Sequence, residues 1–345
     1  MRVIGWLVVL LLAVAAVLTL NPEWLGRVNP DWAGLTTTAV LAPVYGVRPL
    51  LAVLFAVVAV IALILGLVRR VGFGGGGRTL FLGLVLAAVA VGHGWMVWDR
   101  GPDNPPALTA DDGLSPAGPG SGALTVLAWN TQGGRTGAAD VAAVAEENGA
   151  DVLVLSETDD ALAGEVVGAL AGSGATFQTF FADAGDRGHV ALLVSNALGE
   201  YVPTEAPATS AGAVRAEPAN GVGPVLVGVH TARPVGEDHD AWLADLDAVL
   251  PLCTDGGADR LVLAGDLNAT LDHAPLQDLG ACRDGAVGAG VGGVATWPTQ
   301  APELLGATID HVLHDADAFR ATEAVVVERG RSDHRAVVVR LVPAG

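Results

Sequence analysis

Residues 124–157, LTVLAWNTQGGRTGAADVAAVAEENGADVLVLSE, establish the fold class of this chain. Two short apolar runs, LTVLAW and DVLVLSE, lie on either side of a stretch from about Ala138 to Asn148 that has helical periodicity. A second predicted helix follows over residues 160–171. Strands that alternate with helices in this order are typical of α/β organisation.

The second half of the chain is richer in strands. Seven further apolar runs predict strands: HVALLVS, AVRAEP, PVLVGVHT, RLVLAGD, TIDHVL, TEAVVVE and AVVVRLV. One clear helix, at residues 238–250, is predicted between two of them. This imbalance disfavours a simple doubly wound parallel sheet and predicts two packed sheets flanked by helices.

The composition points to membrane segments and excludes several enzyme classes. Of the 345 residues, 51% are hydrophobic and 16% are charged, and the mean hydropathy of +0.49 is too high for an ordinary soluble protein. All 18 basic residues are arginine. Chemistry that needs a lysine, such as Schiff-base catalysis or the Walker phosphate-binding lysine, is therefore excluded.

The net charge of -19 is unevenly distributed along the chain. The first 102 residues hold 7 arginines against 3 acidic residues, whereas the remainder holds 11 against 34. Duplex nucleic acid is bound largely through phosphate neutralisation, so this acidic part disfavours it as the main ligand. A metal ion in the site would reverse the local field.

Three apolar stretches occupy the first hundred residues. They are residues 3–20, 49–68 and 79–98, and the third contains His93 as its one titratable group. Each reaches the roughly 17–25 residues that a bilayer-spanning helix needs. We therefore predict that residues 1–100 form a membrane anchor with three transmembrane helices. A cleavable signal peptide is the alternative interpretation of the first stretch.

The placement of arginines predicts the orientation of this anchor. Arg2 precedes the first span, and Arg69, Arg70 and Arg78 lie in the short loop between the second and the third. Because cytoplasmic loops carry an excess of positive charge, we expect everything after Trp98 to lie outside the cytoplasm.

The segments between and after the predicted spans differ from the spans in length and composition. Residues 34–47 are apolar but short, and we expect them at the interface or packed against the helix bundle, with a re-entrant segment as the alternative. Residues 101–122 are rich in Pro, Gly, Asp and Ser and predict an extended linker. The globular domain then covers residues 123–345. For its two cysteines, Cys253 and Cys282, a disulfide and two buried free thiols are equally compatible with the sequence.

Polar residues cluster where the apolar strands stop. Such positions lie at the rim of a sheet, where loops gather ligands. The cluster consists of Asn130, Glu157, His230, Asp266, Asn268, Asp310, Asp333 and His334. Taken singly, a solvated glutamate, an Asp-Xaa-Asn turn and a packed histidine are the common explanations. Their joint occurrence, without cysteine or lysine, predicts an oxygen-rich site for a hard divalent cation such as Mg²⁺.

The order of these motifs resembles the endonuclease/exonuclease/phosphatase superfamily. The resemblance runs over nearly all of residues 123–345 and is carried by GDLNAT, a distant Thr296–Trp297 pair, IDH and SDH, which are specific as a set. It implies an α/β fold, a four-layer α/β/β/α sandwich of two mixed sheets flanked by helices. The three N-terminal spans and the stretch GDLNATLDHAPL are similar to a membrane-anchored actinobacterial branch of the superfamily, the VanJ-like proteins.

The resemblance implies a metal site. Glu157 matches the principal metal ligand of the superfamily, Asn130 beside it helps to bind metal or phosphate, and Asp333 completes the metal shell. The implied cofactor is Mg²⁺, with Mn²⁺ as the alternative.

The resemblance also implies catalytic roles. His334 matches the catalytic histidine and Asp310 the carboxylate that orients it, which suits a general base or a charged donor to the transition state. Asp266 would position or deprotonate the attacking water. Asn268 would hydrogen-bond the phosphoryl oxygens, and His230 would contact the scissile phosphate.

Three further residues concern substrate contacts. Arg233 and Arg335 adjoin two of the motifs, where they either clamp a second phosphate or form surface salt bridges. Many members of the superfamily have an arginine after the strand that matches HVALLVS, whereas this chain has Asn196. The departure puts substrate contacts on that side in doubt.

Together these features predict a multi-pass cell-membrane protein with an extracytoplasmic catalytic domain. The predicted activity is Mg²⁺-dependent hydrolysis of a phosphate ester or pyrophosphate, with a lipid-linked cell-envelope intermediate as the first hypothesis. Its expected partners are the membrane and a phosphate-containing small-molecule or lipid-linked substrate, with nucleic acid disfavoured and no obligate protein partner evident. The alternatives are an exported metal-dependent nuclease and a non-catalytic binding module on the same fold.

Overall fold

The computed structural model describes residues 2–109, 122–254 and 259–344. Nine α-helices lie within these residues: α1 (Arg2–Leu18), α2 (Ala42–Gly46), α3 (Arg48–Phe73), α4 (Gly77–Asp99), α5 (Ala138–Asn148), α6 (Asp160–Gly172), α7 (His239–Val249), α8 (Pro251–Thr254) and α9 (Gly285–Gly288). Twelve strands accompany them: β1 (Leu124–Asn130), β2 (Val152–Ser156), β3 (Phe177–Asp183), β4 (His189–Ser195), β5 (Tyr201–Thr204), β6 (Ala213–Pro218), β7 (Val225–His230), β8 (Leu261–Asp266), β9 (Cys282–Asp284), β10 (Asp310–Asp315), β11 (Phe319–Val327) and β12 (Ala336–Pro343).

The strands form two six-stranded mixed sheets. The first has the order β11-β12-β1-β2-β4-β3 and the second the order β5-β6-β7-β8-β10-β9. One pair in each sheet is parallel, β1 with β2 and β7 with β8, and the other pairs are antiparallel. The two parallel pairs are those whose carboxyl ends carry predicted site residues.

Both faces of each central strand are buried, which explains the continuous apolar runs in the sequence. Along β1, Val126 and Ala128 point into the core between the sheets, whereas Leu127 and Trp129 point to the opposite face, where α5 and α6 pack. The second sheet repeats this alternation, with α7 and α8 on its outer face. The layers are therefore helices, sheet, sheet and helices, which confirms the predicted four-layer α/β/β/α sandwich.

Two of the three predicted spans coincide with helices long and apolar enough to cross a membrane, α3 with 26 residues and α4 with 23. The helix α1 is apolar but shorter, with 17 residues. Ala16, Ala59 and Val89 hold the three helices together in a small apolar cluster. The number of spans and their orientation stay predictions.

The segment before α3 packs on the globular domain. Ala42 is fully buried in the core cluster beneath α7, and the side chain of Thr36 accepts a hydrogen bond from the backbone of Ala274 at 2.8 Å. Part of this segment, predicted to lie at the interface or against the helix bundle, therefore packs on the globular domain.

The first residues of the predicted linker pack on the globular domain. Leu108 is buried, and the side chain of Asn104 exchanges two 2.9 Å hydrogen bonds with the backbone of Val326. Asn104 is thus bonded to the edge strand β11, and Leu108 packs in the core on the outer face of the first sheet. The remainder of the predicted linker, residues 110–121, lies outside the described residues.

Cys253 and Cys282 form a disulfide, which resolves the alternative that the sequence left open. The bond joins α8 to β9, and the chain between the two cysteines contains Asp266 and Asn268.

Candidate active site

The ends of the central strands of both sheets meet at one edge of the sandwich. In the first sheet Asn130 is paired with Ser156, so Glu157 follows directly beside it. In the second sheet Asp266 is paired with His230 on one side and with Asp310 on the other. Register alone therefore brings carboxylate, amide and imidazole groups from both sheets to the same edge.

The amide of Asn130 joins the two sheets at this edge. Its Nδ2 donates to Oε1 of Glu157 at 3.1 Å and to Oδ2 of Asp266 at 3.0 Å. Its Oδ1 accepts a hydrogen bond from the backbone N–H of Gln132. Glu157 has a φ of +51°, a left-handed conformation that is costly for a residue with a Cβ and is typical of functional sites. Glu157 and Asp266 are thus held close together, as the sequence predicted.

His334 and Asp310 form a buried dyad. Nδ1 of His334 lies 2.8 Å from Oδ2 of Asp310, and Nε2 lies 3.8 Å from Oδ2 of Asp266. The backbone of His334 is fixed by Trp129, whose indole N–H donates to its carbonyl oxygen at 2.9 Å. A carboxylate on Nδ1 directs Nε2 towards the pocket and fixes the tautomer of the ring.

The electrostatics of the dyad favour a charged histidine. Burial alone would lower the pKa of His334, but the negative charges of Asp310 and Asp266 outweigh it and raise that pKa to about 10. Burial raises the pKa of Asp310, against the opposing effect of His334. The imidazole is therefore a proton donor at neutral pH in the absence of a cation.

His230 lies on the other side of Asp266, with 3.7 Å between its Nε2 and Oδ2 of the aspartate. Its Nδ1 is buried and has no hydrogen-bond partner among the described residues. A Cβ on Gly188 would come within 3.1 Å of this nitrogen, so the glycine leaves room beside the ring. The two histidines thus flank one carboxylate.

Asn268 extends the site at the end of β8. Its φ is +47°, and its backbone N–H donates to Oδ1 of Asp266 at 2.8 Å, which closes a tight turn after the strand. Its Nδ2 donates to the carbonyl oxygen of Thr231. The turn holds the side chain of Asn268 at the pocket, since it lines the same cavity as His334.

Asp333 is held at the pocket by two polar contacts. Its Oδ2 accepts a 3.1 Å hydrogen bond from the indole N–H of Trp297, and its backbone N–H donates to the side chain of Gln132. The sequence pairs Trp297 with Thr296 in one motif but gives no sign of this contact, which depends on the fold.

Two groups of residues fit a divalent cation. Asp266, Asp310 and His334 offer one ligand atom each within 4.8 Å of one another, and they form the one such cluster of acidic and histidine residues in the described part of the chain. Glu157, Asn130 and Asp333 offer oxygen donors at the same pocket. A hard cation such as Mg²⁺ prefers oxygen ligands, so the second group, which offers only oxygen atoms, fits it better.

The structure corrects the role predicted for Arg335. Its guanidinium is buried and donates to the carbonyl oxygens of Ala295, Pro298, Thr299 and Ala301 and to the Glu328 carboxylate. These bonds use the donors that a phosphate would need, so Arg335 fixes a loop and does not reach the pocket. Arg233, in contrast, is 71% exposed, pairs with Asp238 at 3.1 Å and lines the pocket.

Asn196, which stands where many members of the superfamily have an arginine, does not lie at the active edge. Strand β4 runs antiparallel to β2, with Ser156 opposite Val190, so β4 begins at the active edge and Asn196 lies at the far end. At the active edge, the turn before β4 carries Arg187, an exposed residue that lines the pocket together with Arg233. The sequence analysis did not identify Arg187. The only sequence signal for it was its position in the turn GDRGH.

The site opens into one wide pocket of about 1060 Å³. Its polar floor holds Asn130, Glu157, His230, Asp266, Asn268, Asp333 and His334. Asp310 lies behind His334, and its Oδ1 is buried without a hydrogen-bond partner among the described residues. Eight of the predicted site residues therefore converge, with Arg233 at the rim and Arg335 outside.

Comparison with known families agrees with this geometry. The sequence model of the Endonuclease/Exonuclease/phosphatase family matches residues 127–334, which include every residue of the polar floor. No curated protein sequence matches this chain.

Solved structures share the architecture of the globular domain. An endonuclease/exonuclease/phosphatase family protein from Bacteroides thetaiotaomicron has a TM-score of 0.50 and 16% identity, with 65% of this chain and 98% of that chain covered. An AP endonuclease from Archaeoglobus fulgidus has a TM-score of 0.49 and 15% identity, with coverages of 64% and 99%. A mannosyl-6-phosphatase from Bacteroides thetaiotaomicron VPI-5482 has a TM-score of 0.48 and 15% identity, with coverages of 64% and 99%. The first of these likenesses shows the common fold.

Proposed function

The chain belongs to the Endonuclease/Exonuclease/phosphatase family, and we propose that within it the protein is a membrane-anchored, divalent-metal-dependent phosphoesterase. Members of this family are generally phosphoesterases or nucleases, which supports a hydrolase. The proposed substrate is a phosphate ester or pyrophosphate joined to a lipid, and the proposed location is the outer face of the membrane. The similarity to the VanJ-like branch stays part of this proposal.

One observation carries the proposal. The Nδ1 of His334 is bound to Asp310 at 2.8 Å, while its Nε2 faces Asp266 across 3.8 Å at the floor of an open pocket. A histidine held in this way can give or take a proton at one defined atom. Such an arrangement suits hydrolysis at a phosphorus centre that sits above Asp266.

The residues of the floor supply the separate tasks of phosphoester hydrolysis. Asp266 is placed to accept a hydrogen bond from an attacking water, and ring N–H groups of His334 and His230 beside it would stabilise negative charge on phosphoryl oxygens by hydrogen bonding. Asn268 would donate its remaining amide hydrogen to one of these oxygens.

Glu157, Asn130 and Asp333 would hold the metal ion. A bound Mg²⁺ neutralises charge on the non-bridging oxygens of the phosphate. The hydrogen bond from Asn130 to Glu157 keeps the glutamate turned into the pocket, and Trp297 does the same for Asp333.

Two observations support a lipid-linked substrate. The helices α3 and α4 are long and apolar enough to cross a membrane, and the segment directly before α3 lines the pocket. The acidic balance of the domain, 11 arginines against 34 acidic residues after residue 102, disfavours long polyanions by repulsion.

The test compares two activities of the same preparation. Full-length protein in detergent with Mg²⁺ is expected to release phosphate from a polyprenyl pyrophosphate and to leave supercoiled plasmid intact, and His334→Ala is expected to abolish the release. Nicking of plasmid without phosphate release would support the nuclease alternative. If neither His334→Ala nor Glu157→Ala changed phosphate release or plasmid nicking, a non-catalytic module would be supported.

Location is tested separately. A reporter that is active only outside the cytoplasm, fused after Gly345, is expected to be active. Activity of a cytoplasmic reporter at the same position would contradict the proposed orientation.

A further inference from the structure

The pocket has an apolar side that the proposed chemistry does not use. Four residues at and just after α2 line it: Ala42, Pro43, Gly46 and Val47, here named the α2 wall. We propose that the α2 wall is a subsite for the hydrocarbon chain attached to the reacting phosphate, so that the membrane-proximal segment takes part in substrate recognition. This inference deepens the proposed function and rests on phosphate binding at His334.

The size of the cavity calls for more than a phosphate group. Its volume is about 1060 Å³, which is the size of a cavity for a whole organic ligand. The α2 wall and the polar floor line the same cavity. A ligand that fills it therefore has a charged end on the floor and a further part against the wall.

The side chains of the α2 wall indicate which kind of ligand group binds against it. None of its four side chains has a hydrogen-bond donor or acceptor. A sugar or a nucleobase placed there would leave polar groups unpaired, which is unfavourable, whereas a hydrocarbon chain gains from leaving water. The wall thus favours an alkyl or prenyl chain.

The α2 wall is held in place by His273. The Nδ1 of His273 accepts a 2.8 Å hydrogen bond from the backbone N–H of Thr270, so Nε2 carries the proton and donates to the carbonyl oxygen of Ala42 at 2.9 Å. Burial lowers the pKa of His273, which agrees with this neutral tautomer. The wall is therefore bound to the loop that follows Asn268.

A buried ion cluster fixes the end of the wall. Arg48, the residue after Val47, pairs with Asp272 at 2.6 Å, and Arg100 at the end of α4 pairs with the same carboxylate. The side chains of Arg48 and Asp272 are only 2% and 3% exposed. Since α3 begins at Arg48, the wall leads directly into the helix that can cross the membrane.

Binding of two phosphonates tests the subsite independently of hydrolysis. Methylphosphonate and hexylphosphonate have the same charged end and differ by five methylenes, each worth about a fourfold gain in affinity when fully buried. The full-length protein in lipid nanodiscs with Mg²⁺ is expected to bind hexylphosphonate at least about tenfold more tightly than methylphosphonate.

Three substitutions in and directly after α2 separate the subsite from the fold. Val47→Ser is expected to reduce the preference for hexylphosphonate several-fold and to leave the affinity for methylphosphonate unchanged. Val44→Ser is the matched control, because Val44 lies in the same helix and is 37% exposed but does not line the pocket. Pro43→Ser, at the other end of the wall, is expected to act like Val47→Ser.

The outcomes distinguish this inference from the proposed function. Equal affinities of the wild-type protein for both phosphonates, or equal losses in Val47→Ser and Val44→Ser, would overturn the subsite even if hydrolysis is found. If the wild-type protein prefers hexylphosphonate and Val47→Ser removes this preference, the subsite is supported even if no phosphate is released. In that case only the proposed reaction would be wrong.

Discussion

Asp272 of the catalytic domain pairs with Arg48, the first residue of α3, with 2.6 Å between Oδ1 of the aspartate and Nε of the arginine. Both side chains are buried, and Asp272 lies four residues after Asn268 in the loop that leaves the active site. The pair therefore connects the helix that can cross a membrane to the loop that carries Asn268 of the candidate active site.

Removing the charge of Asp272 is expected to destabilise the protein strongly. Burial alone would raise the pKa of Asp272, but Arg100 and Arg48 hold it below its usual range. Asp272→Asn leaves two arginines without their partner, which for a buried pair costs about 3–5 kcal/mol. Thermal unfolding of the full-length protein in detergent measures the loss. Asp240→Asn, at a side chain that is 99% exposed, is the control and should change little.

The stability contributed by His311 is expected to fall as the pH rises. Its Nδ1 lies 2.6 Å from Asp284 and its Nε2 lies 2.9 Å from the carbonyl oxygen of Ala269, so both nitrogens face acceptors. Burial alone would lower the pKa of His311, but Asp284 raises it. A raised pKa in the folded state gives stability that is complete below about pH 6.5 and is lost as the pH passes the raised value.

The variant His311→Gln measures this effect. The difference in unfolding temperature between the wild type and His311→Gln should be largest in mildly acidic buffer and should shrink in alkaline buffer. A difference that stays constant or grows with pH would show that His311 is not charged in the folded protein.

The dyad of His334 and Asp310 is expected to act as a unit. His334→Ala should lower kcat by about 10²–10⁴-fold, the usual contribution of general acid–base catalysis. Asp310→Asn should lower kcat as well, and it should lower the pKa of His334 because the nearest negative charge is removed. Phosphate release and NMR titration of the imidazole measure the two effects. His314→Ala, at a buried histidine that does not line the pocket, should keep its kcat.

The disulfide is expected to stabilise the folded protein. It joins cysteines 29 residues apart in sequence, and restricting the unfolded chain over a loop of this length contributes about 3–4 kcal/mol. Cys253→Ser combined with Cys282→Ser should lower the unfolding temperature by a matching amount. The wild type with reductant should behave like the double variant, and a reductant effect on the double variant itself would point to another cause.

Arg187 and Arg335 are expected to contribute differently, one to substrate binding and the other to stability. Arg187→Gln removes an exposed charge at the pocket rim and should raise KM for a pyrophosphate about tenfold without lowering the unfolding temperature. Arg335→Gln removes the bonds to four carbonyl oxygens and should lower the unfolding temperature instead. The reverse pattern would restore the original assignment of Arg335 to substrate binding.

Much of the fold could be predicted from local pattern. The strands around Val126 and Leu153 and the helix between them follow from apolar runs and helical periodicity, because burial on both faces of a strand requires a continuous apolar run. The polar residues at the strand ends were legible for the same reason, since Glu157 and Asp266 interrupt those runs.

The direction of each strand and the contacts between residues distant in sequence could not be predicted from local pattern. Asn196 follows a predicted strand just as Glu157 ends one, yet β4 runs antiparallel to β2, so its beginning, next to Arg187, lies at the site. Likewise Arg335 adjoins a catalytic motif, but the carbonyl oxygens that bind it belong to a loop more than thirty residues earlier.

The amino-acid order alone thus specified which segments become strands and helices and which residues are chemically suited to a metal phosphoesterase, because periodicity and side-chain chemistry are properties of neighbouring residues. Packing specified which of those residues share a pocket, which arginine reaches it and that the α2 wall closes one side. These depend on strand direction and on contacts such as that of Arg48 with Asp272, 224 positions apart, which no local pattern encodes.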